Sequence, residues 1–154
     1  GDTAAVHGAF GRFSYLLHPD ERDLVFVAGG IGITPLMSMI RHMRDVRDTQ
    51  NVVLLYGNKK EDRIVFRDEL SNIESEGYPS LKVVHVISSP EKEWTGETGY
   101  VDREKIRKHC GDNLQGKAFY LCGPAGMLEA VASALKGMGV ADRQIRTEIF
   151  SFLD

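Results

Sequence analysis

The sequence has 154 residues, of which 42% are hydrophobic and 27% are charged, and its formal net charge is -3. This composition is typical of one globular domain and excludes a disordered or fibrous chain. The mild acidity and the lack of a clustered basic face argue against a nucleic-acid partner, and no apolar run approaches the roughly 18 residues that a membrane span needs.

The two cysteines, Cys110 and Cys122, stand 12 apart and do not form a CxxC motif. A zinc site or a disulfide framework is therefore not expected, and the histidines also lack the spacing of metal ligands. The first residues show no basic flank followed by an apolar stretch, so they do not resemble a signal peptide. We therefore expect no bound metal and a cytoplasmic location.

Short β-branched runs alternate with longer helical patterns along the chain. The predicted strands are 23–28, 51–56, 81–87, 118–122 and 145–150. The predicted helices are 35–47, 62–75, 102–109 and 124–136. This alternation predicts an α/β fold with a doubly wound, parallel, five-stranded sheet, helices on both faces and right-handed crossovers. Ligands of such sheets bind beyond the carboxyl ends of the strands.

A glycine-rich turn, GGIG at residues 29–32, follows the first predicted strand and leads into Thr34 and Pro35. Glycines let a backbone approach a ligand without a Cβ in the way. Thr34 is expected to cap the following helix, and Pro35 suits the first turn, where its missing N–H is no loss. The free amides and the helix dipole then favour a phosphate group. The alternative is a tight turn that binds nothing.

A second turn, CGPAGM at residues 122–127, repeats this arrangement after the fourth predicted strand. Two such turns, on strands one and four, would flank the crevice of a doubly wound sheet. Cys122 would stand at the carboxyl end of its strand, and no base adjoins it in the sequence. It is therefore expected to be a buried core thiol or to pack against a planar ligand ring, and a nucleophilic role is poorly supported.

The motifs GGIGITP and CGPAGM, with an aromatic residue near the C-terminus, resemble the NAD(P)-binding domain of the ferredoxin-NADP reductase (FNR-like) superfamily. The resemblance covers most of the chain and includes YGN at 56–58 and WTGETGYV at 94–101. Residues 8–13 (GAFGRF) are similar to the segment that closes the family's flavin-binding barrel. The resemblance therefore implies that 1–20 are the end of a missing FAD-binding barrel and that 21–154 are the NAD(P)-binding domain.

The resemblance also implies roles for individual residues. The pyrophosphate and the neighbouring ribose would be contacted by Gly29, Gly30, Gly32, Thr34 and Pro35. The nicotinamide side would be shaped by Cys122, Gly123, Pro124 and Met127. Cofactor binding is also expected where the second and third strands end, from Asn58, Ser88 and Ser89. Replacing Gly32 by valine is then expected to abolish dinucleotide binding and to leave the fold assembled.

The segment Glu148-Ile149-Phe150 resembles the family's terminal acidic-x-aromatic element, in which the aromatic side chain covers the flavin ring. The resemblance implies catalytic roles for Cys122, Glu148 and Phe150, and Phe150 is preferred to Phe152 as the aromatic residue. The family's chemistry is hydride transfer from nicotinamide to flavin, for which the protein mainly aligns two rings. The family's flavin-holding motif, Arg-x-Tyr-Ser/Thr, is absent here, so the chain is expected to bind nucleotide without retaining FAD.

The function that the resemblance implies is the NAD(P)H-binding half of an FAD-dependent oxidoreductase. NADP-specific relatives tend to carry a Ser-Arg pair after the third strand, where this chain has SSP at 88–90 and no cation. NADH is therefore preferred to NADPH as the cofactor. Three cations after the second strand, Lys59, Lys60 and Arg63, could substitute, although a charge run there is usually a solvated face.

The implied partners are the chain's own FAD-binding domain and an electron acceptor. The acceptor would be a ferredoxin-like protein, an oxygenase or a membrane ferric-reductase core, and in the last case the chain is the cytoplasmic portion of a membrane-bound parent. Two alternative functions stay open. One is an electron-transfer subunit of a dihydroorotate-dehydrogenase-type complex, and the other is a non-catalytic nucleotide-sensing module.

Overall fold

The computed structural model describes residues 3–5 and 11–150. Its strands are β1 (Asp23–Gly29), β2 (Asn51–Asn58), β3 (Ser80–Ile87), β4 (Glu97–Thr98), β5 (Lys117–Gly123) and β6 (Ile145–Ile149). Its helices are α1 (Ile33–Asp45), α2 (Arg67–Glu76), α3 (Arg103–Cys110) and α4 (Ala125–Gly137). Half of the segment expected to close a barrel (residues 8–10 of 8–13) and the alternative aromatic residue Phe152 lie outside the described residues.

All the strands pair in parallel, in the order β4-β3-β2-β1-β5-β6. The predicted doubly wound parallel sheet is confirmed, but it has six strands where the sequence predicts five. The additional strand is β4, whose two residues pair with Val86 and Ile87 at the end of β3. A strand of two residues is too short to show an alternating hydrophobic pattern, so the sequence could not reveal it.

Helices cover both faces of the sheet. One hydrophobic cluster joins α1 and α2 to the first face and includes Leu36 and Leu70, which are fully buried. A second cluster joins α3 and α4 to the opposite face and includes Ile106 and Val131. Strands β1 and β5 lie between these two layers in the middle of the sheet, and they are buried over almost their whole length.

Helix α2 begins at Arg67 and not at residue 62 as predicted. Residues Glu61–Arg63 form a 3-10 turn instead, and Phe66 has a left-handed backbone with a φ of 59°. A bulky side chain in this conformation interrupts a right-handed helix, so the residues before it cannot join α2. In consequence Val65 is exposed, although the helical pattern places it on the buried face.

The strand order reverses between β1 and β5. The chain runs outward from β1 to β4 and then returns to place β5 and β6 on the other side of β1. At such a point the connections after the two neighbouring strands leave in opposite directions and open a crevice at the carboxyl edge of the sheet. The two connections are the glycine turns that the sequence analysis singled out.

Candidate functional site

A cleft of about 650 Å³ opens at the carboxyl edge of the sheet. It extends from the turn after β5, across the turn after β1, to the ends of β2 and β3 and the segment after β4. The lining includes half of the predicted site residues, namely Gly29, Gly30, Asn58, Ser88, Ser89, Pro124 and Met127. The fold therefore brings together residues that are almost 100 positions apart in the sequence.

The turn after β1 leaves space for a ligand at Gly30. The φ of Gly30 is 51°, and a Cβ built at this position meets no atom within 4 Å. Glycine adopts this left-handed conformation without the strain that a side chain would add. The backbone at Gly30 is therefore open to the cleft.

The other glycines of the first turn let it pack against the second turn. A Cβ at Gly32 would collide with the carbonyl oxygen of Cys122 and would lie 2.8 Å from the Cα of Gly123. A Cβ at Gly29 would collide with the side chain of Met127. The expectation that a valine at Gly32 leaves the fold assembled is therefore wrong, because backbone atoms of the second turn occupy the space that the side chain needs.

Neither helix that begins at the cleft has a side-chain cap. The N-cap residue of α1 is Gly32 and that of α4 is Pro124, and neither forms a capping hydrogen bond from a side chain. Thr34 does not cap α1 as predicted, because it lies inside the first turn and its Oγ1 donates to the carbonyl oxygen of Ile31 at 3.1 Å. At the start of α1 the N–H of Ile33 donates to the carbonyl oxygen of Gly30, and in α4 the N–H of Met127 donates to that of Pro124. Both helix dipoles favour an anion.

The remaining predicted residues do not line the cleft. Gly32 and Gly123 form the contact between the two turns. Pro35 lines a separate pocket on the outer side of α1, together with Tyr15 and His42. The structure therefore divides the predicted pyrophosphate residues between those that are open to a ligand and those that support the turn.

Cys122 is fully buried at the end of β5. Burial, with a smaller contribution from the negative charge of Glu148, raises the pKa of its thiol to about 12. The thiol therefore keeps its proton at neutral pH, when a nucleophilic cysteine would need to be a thiolate. This result favours a buried core thiol over a nucleophile, and Cys122 is not part of the cleft lining.

The C-terminal strand places the predicted acidic-x-aromatic element next to the second turn. Glu148 lies opposite Cys122 in the pairing of β5 with β6. The N–H of Phe150 donates to the carbonyl oxygen of Gly123 at 3.2 Å, which continues this pairing past the end of the strand. Glu148 and Phe150 are both exposed, so this end of β6 can be reached from outside the domain.

The ends of β2 and β3 stay paired beyond their last residues. The N–H of Ser88 donates to the carbonyl oxygen of Asn58 at 3.0 Å, and the N–H of Ser89 donates to that of Lys59 at 2.8 Å. Asn58 is only 8% exposed. Its neighbour on the same face of β2 is the Tyr56 hydroxyl, and hydrogen bonding to Asn58 partly offsets the burial that raises the pKa of Tyr56.

Sequence reasoning missed four residues of the cleft lining, which are Gly57, Gly99, Tyr100 and Val101. The N–H of Gly99 donates to the carbonyl oxygen of Ile87 at 2.9 Å, which attaches this segment to the end of β3. Tyr100 is 78% exposed beside it. In the sequence, the indication of this segment was an aromatic residue, Tyr100, directly after Gly99. That Tyr100 lines the cleft follows from β4, which could not be predicted.

The charged side chains of the cleft lining are Lys59 and Arg63, and the lining includes no carboxylate among the described residues. The whole chain has a net charge of -3, so this positive charge is a local feature of the cleft. Together with the two helix starts it creates a potential that attracts anions.

Comparison with known proteins points to one family. The model described as an oxidoreductase NAD-binding domain matches residues 26–133. The plasma membrane-associated coenzyme Q6 reductase PGA3 of Saccharomyces cerevisiae is 33% identical over 141 residues, which cover 90% of this chain and 44% of that protein. NADH-cytochrome b5 reductase 1 of Debaryomyces hansenii is 33% identical over 140 residues, which cover 90% and 49%. The chain therefore spans about half the length of these curated relatives.

A solved structure shows the same fold. The CS-b5R domains of human Ncb5or, in the NAD+ form, align with a TM-score of 0.79 and 26% sequence identity. The aligned part covers 90% of this chain and 39% of the human chain.

Proposed function

The chain belongs to the oxidoreductase NAD-binding domain family, and we propose that it is the NADH-binding half of an FAD-dependent oxidoreductase. The observation that carries this proposal is the cleft at the reversal of strand order, where both glycine turns meet. Its volume of about 650 Å³ suits a small molecule, since such sites measure about 300–1,000 Å³.

The pyrophosphate of the dinucleotide is assigned to the turn after β1. The start of α1 has no side-chain cap, and Gly30 leaves open space beside it. A helix of 13 residues carries about half a positive charge at its N-terminus. In this arrangement the helix dipole and the open backbone at Gly30 favour the phosphates, and no buried cation is needed.

The direction of the dinucleotide follows from what lies on either side of this turn. On one side the cleft crosses β2 and β3 and ends at Tyr100, whose exposed ring offers a stacking surface for the adenine. The other side ends at Pro124 and Met127 in the turn after β5. We assign the nicotinamide to that second side. When bound, the nicotinamide supplies the hydride that reduces a flavin.

The chain's own contribution to this reaction is alignment and the exclusion of water. Cys122 holds its proton because burial raises the pKa of its thiol to about 12, so it places no charge beside the reacting ring. Phe150, held next to Gly123 by its N–H, presents an exposed aromatic side chain to the flavin side. Glu148 lies on the same exposed end of β6. Holding two rings in near contact supplies much of the rate enhancement of such a transfer.

The proposed enzyme includes an FAD-binding domain. We propose that residues 1–20 are the end of its barrel and that 21–154 are the NADH-binding domain. The curated relatives are about twice as long as the part that matches this chain, which leaves room for such a domain. The proposed electron acceptor is a ferredoxin-like protein, an oxygenase or a membrane ferric-reductase core, and the names of the relatives add cytochrome b5 and coenzyme Q6 to these candidates.

The proposed location is the cytoplasm, with the chain either unattached or forming the cytoplasmic portion of a membrane-bound parent. In the part of the chain that the structure describes, no helix is both long enough and apolar enough to span a membrane. One of the relatives is named as associated with the plasma membrane, which supports the second form of the proposal.

The proposal is tested by titrating the chain with NADH while backbone amide shifts are followed by NMR. We expect shifts at residues 29–32 and at Tyr100, and little change at the opposite edge of the sheet, for example at Lys117. The matched variant is Gly30→Ala, whose Cβ projects into open space in the cleft, so it should weaken binding without unfolding the chain. An unchanged wild-type spectrum at millimolar NADH would refute the proposal and would favour reuse of the fold without a nucleotide.

A further inference from the structure

We infer that the same cleft also accepts the 2′-phosphate of NADPH, held by Lys59 and Arg63 at the adenosine end. This inference rests on the proposed function, because it concerns which dinucleotides that site admits. The segment after β3 alone suggests exclusion of the phosphate, since residues 88–90 carry no cation. The structure supplies the cations from the neighbouring segment after β2.

Lys59 lines the cleft between the turn assigned to the pyrophosphate and Tyr100, which is assigned to the adenine, so we place the adenosine ribose beside it. Its carbonyl oxygen accepts a hydrogen bond from the N–H of Ser89 at 2.8 Å, so these residues are neighbours at the ends of β2 and β3. These strands are the first and second along from β1 in the sheet, or about 5 and 10 Å away. These distances suit the adenosine ribose, which is bonded directly to the pyrophosphate.

Arg63 reaches the cleft because α2 begins late. Its 3-10 turn, Glu61–Arg63, stands between β2 and α2. Its only carboxylate neighbour within the described residues is Asp62, at 3.9 Å, and both side chains are more than 70% exposed. Glu61 pairs with Arg67 at 2.6 Å and so does not neutralise Arg63. The guanidinium is therefore available to an anionic ligand.

The lining also lacks the group that would select against the phosphate. In dinucleotide sites an acidic side chain that binds the ribose 2′-hydroxyl repels a 2′-phosphate, whereas a cation accommodates it. No carboxylate occurs in the described lining of this cleft, and Ser88 and Ser89 contribute hydroxyls in its place. A hydroxyl can bond to either a ribose hydroxyl or a phosphate, so both dinucleotides fit.

The test compares the dissociation constants of the chain for NADH and NADPH, measured by the same NMR titration at low and physiological ionic strength. Both should bind, and the affinity for NADPH should fall more steeply with salt because its phosphate adds about 1.5–2 negative charges. Lys59→Gln and Arg63→Gln should each weaken binding of NADPH about fivefold more than binding of NADH. The double variant should change the ratio more than either single variant does, and the effects need not multiply because both cations bind the same phosphate. Lys60→Gln is the control, because it removes the same charge next to Lys59 but outside the lining.

The possible results separate this inference from the proposed function. Binding of NADH without binding of NADPH would overturn the inference and leave the proposed function standing. Binding of neither would overturn both. If Lys60→Gln lowers the NADPH-to-NADH affinity ratio as much as Lys59→Gln does, general surface charge attracts the phosphate and the assigned site is wrong. Thermal unfolding of each variant shows that it is folded under the conditions of the titration.

Discussion

The contact between the two glycine turns is closest at Gly32, and adding one methyl group there tests how the site is assembled. A Cβ at this position overlaps the carbonyl group of Cys122 and lies 2.8 Å from the Cα of Gly123. These are backbone atoms of β5, which is held between β1 and β6 by strand pairing. They cannot rotate away as a flexible side chain would.

We expect Gly32→Ala to lower the free energy of unfolding by about 2–3 kcal/mol, which is the upper part of the range for overpacked positions. The backbone conformation of Gly32 does not contribute to this loss, because its φ of -60° and ψ of -6° suit alanine well. The variant therefore isolates the collision. The matched control is Gly30→Ala, which meets no atom within 4 Å but has a φ of 51°, so strain alone should cost about 1 kcal/mol.

Urea unfolding at 25 °C measures both variants, and an unchanged m-value shows that the two free energies can be compared. The expected order is that Gly32→Ala is the less stable variant and Gly30→Ala is the one that loses affinity for NADH. If Gly32→Ala is as stable as the wild type, or more stable than Gly30→Ala, the two turns are not rigidly packed and the reasoning fails.

Further predictions follow from exposed and buried groups. Tyr100→Ala should weaken NADH binding about tenfold or more, because stacking on an aromatic side chain contributes about 1–3 kcal/mol per base. Tyr100→Phe should retain the affinity for NADH. If both variants lose the same affinity in a titration, the adenine does not stack on Tyr100. Burial raises the pKa of the Cys110 and Cys122 thiols to about 11 and about 12. Alkylation of these thiols at pH 8 should therefore be slow until urea unfolds the chain. The stability gained by keeping the thiols neutral should be complete below pH ~8.5 and should be lost as the pH rises towards 11 and 12. Glu97 accepts charge-assisted hydrogen bonds from α3 at 2.6 and 2.7 Å, which lower its pKa. Glu97→Gln should cost about 0.5–1 kcal/mol at pH 7. The difference from wild type in urea unfolding should begin to shrink below the ordinary pKa of a glutamate, about 4.3, and be lost as the pH falls through the lowered pKa of Glu97.

The main elements could be predicted because each one carries its own pattern. Strands β1 and β5 are continuous apolar runs that end in glycine, since both of their faces are buried. Helix α1 repeats its apolar residues at helical spacing, since only one of its faces is buried. The start of α2 was not predictable in this way. The apolar pattern continues through Val65 and Phe66, but the extended backbone of Ile64 and the left-handed backbone of Phe66 interrupt the helix.

The location of the site could be predicted from its two turns, but the structural role of each residue in the turns could not. Gly30 and Gly32 are equivalent in the sequence, yet one is open to the cleft and the other is packed against Cys122. Thr34 has the side chain of a helix cap but lies two residues past the N-cap position, which Gly32 occupies. Tyr100 had no assigned role until β4 brought it to the end of β3.

The sequence by itself determined the order of strands and helices, the two turns and the fact that they follow parallel strands, because these depend on residues that are close together in the chain. Only the tertiary structure decided that β5 returns to pair with β1, that the two turns touch, and that Lys59, Arg63 and Tyr100 line one cleft. Those contacts join segments separated by tens of residues. They depend on strand pairing and close packing across the sheet, and no local pattern of residues records them.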